Sequence, residues 1–189
     1  MNYANVLGTL ALCSLLTACG HGSSDYSIVN IGPGIHLSHG GIHAGDGQIR
    51  VYVSNAPDAV ISANGDLQIN QQAVAVDPAV RELLKTYYQN AMMVRTDGIA
   101  TGKAGAAIGE QVAKSVTQAL SSGHPEQIGQ DVEAKAQLVK QSALKICQDL
   151  GAIQTAQDQL AAKLPAFQPY SHLVTNHDIS DCKDDTVAN

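Results

Sequence analysis

The sequence predicts an α+β fold. An N-terminal antiparallel β-meander leads into a long antiparallel α-helical hairpin and then a disulfide-tethered C-terminal tail. Three observations predict it. Apolar residues alternate with a period of two as far as Val76. From Val80 they recur every three or four residues over a stretch much longer than an ordinary helix. Two cysteines, Cys147 and Cys182, are left to pair with each other late in the chain. A length of 189 residues fits about one domain.

Composition narrows the function classes. The net charge is −6 and only 11 residues are Lys or Arg, which argues against nucleic-acid binding. Aromatics make up 4%, too few for the stacking platforms that single-stranded nucleic acid or sugars require. An apolar content of 44% is too high for a disordered tail.

Residues 1–18 read as a signal peptide. Their apolar run, from Val6 to Leu16, is shorter than the ~20 residues a membrane span needs, and has the length of a signal-peptide core. It ends in Leu16-Thr17-Ala18-Cys19-Gly20, which resembles a bacterial lipobox. The resemblance implies acylation of Cys19, with cleavage before it. The departure is that no Lys or Arg precedes the apolar run. An ordinary signal peptide with a plain thiol at Cys19 is the competing reading. Gly20, rather than Asp, resembles lipoproteins sorted to an outer membrane. Several acyl chains on one cysteine make a stable anchor, at about 0.8 kcal/mol per buried CH₂. Residues 19–34 then form a lipidated, small and polar tether.

Cysteine use follows from that address. Cys13 leaves with the signal peptide and Cys19 carries lipid, so Cys147 and Cys182 are expected to bridge in an oxidising compartment. The bridge contributes on the order of 3–4 kcal/mol by restricting the unfolded chain. Neither cysteine has another at zinc-ligand spacing.

The remaining chain, 35–189, is expected to form one α+β domain. Within 35–76, Ile35, Leu37, Ile42, Ile49, Val51, Val53, Leu67, Ile69, Val74 and Val76 mark about four or five short strands. Asn64-Gly65 is expected to make a type I′ hairpin turn, because both central positions need positive φ. Asp77-Pro78 opens the helical hairpin, 77–164, with an N-cap and a first-turn proline. The first helix is expected to run to about Ser121, with Thr96-Asp97-Gly98 as a possible break. The second starts near Pro125, with Gly151 as a possible bend and Pro165 just past its end. The tail covers 165–189, and its Pro165-to-Tyr170 segment is expected to cap the core on the way back to Cys147.

Gly98, Gly102, Gly105 and Gly109 share the contact face of the first helix. Each costs roughly 1 kcal/mol against Ala, so they are expected to form a packing seam that permits close backbone approach. A membrane-inserting glycine zipper is the competing reading. Lys103, Glu110 and Lys114 weigh against it.

A family resemblance rests on two stretches. One is Asp66-Leu67-Gln68-Ile69-Asn70 leading through Val74 and Val76 into Arg81, Leu83, Leu84 and Tyr87. The other is Ile146-Cys147 and Leu150 followed by Leu164-Pro165-Ala166-Phe167-Gln168-Pro169-Tyr170. Together they resemble the YggN-like family of uncharacterised bacterial envelope proteins, over roughly residues 35–182. Asn70-Gln71 stands where that family commonly has Asn-Gly. The resemblance implies secretion and a β-then-α layout. It implies no activity, substrate or catalytic residue.

Candidate chemistry is sparse. His36, His39 and His43 lie close in sequence and are candidate ligands for Zn²⁺, Cu²⁺ or Ni²⁺, with Asp46 as a possible carboxylate. Strand alternation opposes this, since it sets His36 and His39 on opposite faces unless Gly40-Gly41 bends the chain. No catalytic constellation is evident. The glycines around Lys103 lie inside a helix rather than before one, so they are no phosphate loop. The expectation is a non-enzymatic envelope lipoprotein without a cofactor. It attaches to the outer membrane through lipid, faces the periplasm, and binds or scaffolds an envelope protein partner. The alternative is a metal or small-molecule binding protein that uses the His36/His39/His43 cluster.

Overall fold

A computed structural model describes residues 34–122 and 126–188. The expected signal peptide, the lipidation site Cys19, the tether up to residue 33 and the turn at 123–125 lie outside the described residues.

Six strands form the meander, where four or five were expected: β1 (Gly34–Leu37), β2 (Gly40–Gly45), β3 (Gln48–Val53), β4 (Ala56–Ser62), β5 (Leu67–Ile69) and β6 (Gln72–Val74). They pair antiparallel in chain order. Period-two alternation sorts them cleanly into two faces. One row of the covered face runs Ile35, Ile42, Val51, Ala59, Ile69 across the strands. The next runs Ala44, Ile49, Ile61, Leu67, Val74. Ile42, Ile49, Val51, Ala59 and Ile61 are wholly buried.

The turns differ from expectation. Asn64-Gly65 is not a type I′ turn. Only Gly65 has positive φ, while Gly65 N–H bonds to Ser62 O and Ser62 N–H to Asp66 O. This is a three-residue connection with a left-handed last residue. A tertiary contact selects it: a Cβ on Gly65 would lie 2.5 Å from Arg81 O, so the turn sits directly on the following helix. The primed geometry appears instead at Asp46-Gly47 and at Asn70-Gln71, where both central residues have positive φ.

Asp77 caps α1 (Pro78–Ser122) as expected, its Oδ1 accepting from Val80 N–H at 2.8 Å. Helix α1 runs unbroken through Thr96-Asp97-Gly98, and α2 (Glu126–Lys163) runs unbroken through Gly151. The two helices lie antiparallel, tied by Lys145 to Asp97 and by Lys135 to Gln111. Val80, Leu84, Tyr87, Ala91 and Val94 from α1, and Ile146, Leu150, Ile153 and Leu160 from α2, close the core over the sheet.

The tail is ordered, and its Pro165-to-Tyr170 segment caps the core. A 3₁₀ turn spans Pro165–Tyr170 and α3 spans Asn176–Ala188. Phe167 and Tyr170 are fully buried, and Phe167 meets Tyr87 edge-on with ring centroids 5.8 Å apart. A bulge in the β3–β4 ladder lets Pro57, which has no N–H to offer, sit within a strand. The Pro57 carbonyl accepts the Tyr170 hydroxyl. The Cys147–Cys182 disulfide then fastens α3 to α2.

Gln157, wholly buried on α2, holds the segment between the 3₁₀ turn and α3. Its amide donates to Ser171 O (2.7 Å) and Val174 O (3.0 Å), and accepts from Val174 N–H (2.9 Å). Replacing it with a residue of similar volume but no polar atoms strands three buried backbone groups. Gln157→Leu is therefore expected to lower stability by about 2–4 kcal/mol, read from the urea midpoint. An unchanged midpoint would show that water satisfies those groups.

Candidate functional site

The three candidate histidines do not converge. His36 and His43 stand on the open face of the sheet, whereas His39 lies in the turn joining β1 to β2. Tyr52 explains the fate of His36. Gly41 lies between them in the cross-strand row, so the Tyr52 side chain passes over it and its hydroxyl reaches His36 Nδ1 at 3.0 Å. A Cβ on Gly41 would fall 2.2 Å from that hydroxyl. The His43 ring covers glycines instead, with Nδ1 near Gly34 and Nε2 near Gly45, and its β3 neighbour is Arg50. Among the described residues, no group of three or more His, Cys, Asp or Glu side chains is placed to hold a metal ion. The His36/His39/His43 cluster is corrected on that geometry: a two-residue turn sends His39 away, and each ring on the open face has a separate local contact.

The glycine seam is corrected as well. A Cβ added at Gly98, Gly105 or Gly109 would meet nothing within 4 Å. Gly98 is buried and Gly102 half-buried, while Gly105 and Gly109 are exposed. Close approach fails because the sheet ends before this part of α1. Past Gly98, the described side chains of α1 are half-buried or exposed. On α2 the same holds from Glu133 to Lys145, and Leu138 is 63% exposed. The hairpin therefore continues beyond the core as a thinly packed arm. Among the described residues, no helix is long and apolar enough to cross a membrane.

His39 finds a different companion. A cleft of about 330 Å³ opens between the β1–β2 turn, the β3–β4 turn and the segment after the 3₁₀ turn. Ser38, His39, Ser54, Asn55, Pro169 and His172 face it. Both sides are anchored from beneath. Thr175 and Asp178 form a reciprocal capping box at the start of α3: Asp178 Oδ2 accepts from Thr175 N–H (2.8 Å), and Thr175 Oγ1 accepts from Asp178 N–H (3.3 Å). The other carboxylate oxygen of Asp178 accepts from Ser38 Oγ at 3.0 Å, tying the β1–β2 turn to α3. Burial raises the Asp178 pKa, but the hydrogen bonds from Thr175 and Ser38 outweigh it and hold the carboxyl below its ordinary range.

Sequence reading missed this cleft. The Thr175-x-x-Asp178 signature was available as a capping box. No local signal marks His172, which lines the same cleft as His39 only because the tail docks on the end of the sheet. No family model, curated protein or solved structure matches the chain.

Two expectations follow. Gly98→Ala, Gly105→Ala and Gly109→Ala each stabilise the helical hairpin by up to about 1 kcal/mol, read from thermal melts of the helical signal. Destabilisation would restore a close-packed seam. Asp178 has a depressed folded-state pKa, so its contribution is complete above the unfolded carboxylate value and lost as pH falls through the folded one. Asp178→Asn is therefore less stable than the parent chain at pH 7, and the difference shrinks on acidification below about pH 4. A constant difference would assign the effect to packing.

Proposed function

We propose that this chain is a bacterial envelope lipoprotein, anchored through acyl groups on Cys19 at the periplasmic face of the outer membrane. There it binds or scaffolds a protein partner and catalyses no reaction. The observation that carries the reading is the helical arm. Among the described side chains, buried residues on α1 end at Gly98 and those on α2 begin at Ile146, although the helices continue to Ser122 and from Glu126. At 1.5 Å per residue, the helix beyond the core is roughly 35 Å long. The described side chains of this arm bury little within the chain, so their packing does not account for its length. Its surface offers small residues, Leu138 and the Lys114–Glu110 ion pair. Surface pairs of this kind add little stability but leave polar groups available to a partner.

The Cys147–Cys182 disulfide supports an oxidising compartment. The lipobox-like Leu16-Thr17-Ala18-Cys19 supports the anchor. The likeness to YggN-like envelope proteins points the same way.

Photo-crosslinking in cells tests the partner. With a crosslinkable residue at Leu138, on the arm, one reproducible protein adduct is expected. The same residue at Gln68, exposed on the open sheet face, is expected to give none. Absence of an adduct at Leu138 counts against the arm as the binding element. Intact-mass measurement of the membrane-extracted chain tests the anchor: an acylated Cys19 at the new N-terminus is expected, and an unmodified thiol would contradict it.

A further inference from the structure

We propose that the cleft between the β1–β2 turn and the C-terminal segment takes a divalent transition-metal ion, with the imidazoles of His39 and His172 as its protein ligands. The two residues come from opposite ends of the described chain and face one cleft of about 330 Å³, which has room for an ion with several waters. Both backbones are held in place before any ligand arrives. His39 occupies a two-residue turn whose other member, Ser38, is bonded to buried Asp178. His172 sits between Ser171, whose carbonyl accepts from Gln157, and wholly buried Leu173. Fixed backbones with exposed imidazoles suit ligation, because only side-chain torsions remain to be ordered.

The donor set selects the kind of ion. The cleft presents two imidazoles, the Ser38 and Ser54 hydroxyls and the Asn55 amide, with no Asp or Glu among its lining residues. Neutral imidazole suits Cu²⁺, Zn²⁺ and Ni²⁺, and the Irving–Williams order puts Cu²⁺ first. Ca²⁺ and Mg²⁺ require carboxylate oxygens that this cleft lacks. Two protein ligands leave coordination positions for water, so the ion is held in an open site. His36 and His43 do not compete on equal terms. His36 Nδ1 is engaged by the Tyr52 hydroxyl, and His43 stands beside Arg50, whose positive charge opposes a cation. Ligation requires the neutral imidazole, so metal binding competes with protonation.

Calorimetric titration of the full chain in detergent with Cu²⁺ and then Zn²⁺, at pH 7.5 after chelator treatment, tests this. One equivalent is expected to bind. Affinity should fall at least about tenfold in His39→Gln and in His172→Gln, and stay unchanged in His36→Gln and His43→Gln. Electron paramagnetic resonance of the Cu²⁺-loaded parent chain should show coupling to two imidazole nitrogens, which requires no variant to fold. The ion should also raise the melting temperature of the parent chain but not that of the His39→Gln or His172→Gln variants. No binding, binding undiminished in both cleft variants, or binding that follows His36, His43 or upstream His21 would overturn the proposal.

Discussion

One covered face of a six-stranded sheet organises this molecule. Its two apolar rows must be shielded from water, and α1 alone is too narrow to cover them. The first five turns of α1, the last five of α2 and the 3₁₀ turn share the task. Tyr87, Phe167 and Tyr170 supply the large rings that a chain with 4% aromatics can place there. Fully burying an aromatic or aliphatic side chain of this size contributes roughly 1.5–3 kcal/mol. Three of the chain's seven aromatic residues therefore meet at one junction. Tyr87 shows how tightly that junction excludes water: its buried hydroxyl has no partner among the described residues, and burial pushes its pKa far above the ordinary tyrosine value.

The C-terminal segment follows from this constraint. Docking Phe167 and Tyr170 brings buried backbone into the core, and each polar group there needs a partner. Gln157 and the Pro57 carbonyl provide them. Asp178 and Thr175 start α3, and the disulfide holds it against α2. The cleft at the end of the sheet is a by-product of that docking. It forms where two strand turns meet the returning chain, and this is how His39 and His172 come to share one space. The arm follows by default. Among the described residues, core cover ends at Gly98, and beyond it the described side chains of the hairpin are half-buried or exposed.

Much of this was legible in the sequence. Period-two alternation marked the buried strand rows from Ile35 to Val74, and Asp77-Pro78 located the switch to helix. Cysteine arithmetic found the Cys147–Cys182 bridge. The failures were of tertiary origin. Asn64-Gly65 lost its preferred turn because Gly65 must lie against the Arg81 carbonyl. Asn70-Gln71 kept primed geometry without a glycine, since the β5–β6 pairing leaves only two residues for the turn. Gln157 lies four residues after Ile153 and three before Leu160, so spacing sets it on the buried face of α2, but its polar side chain gives no hydrophobic signal there. The glycines of α1 continued the apolar periodicity of its buried part, but periodicity cannot say where the opposing surface stops.

The account turns on a sharp change in packing along one continuous hairpin. Native-state hydrogen exchange measures that change directly, because local opening is cheapest where little apolar surface is buried. The amides of α1 up to Gly98, and of α2 from Ile146, should exchange only through global unfolding. Those of the described arm, 99–122 and 126–145, should exchange through local opening at a lower free energy. Equal protection along the whole hairpin would contradict the division into a shared core and a thinly packed arm.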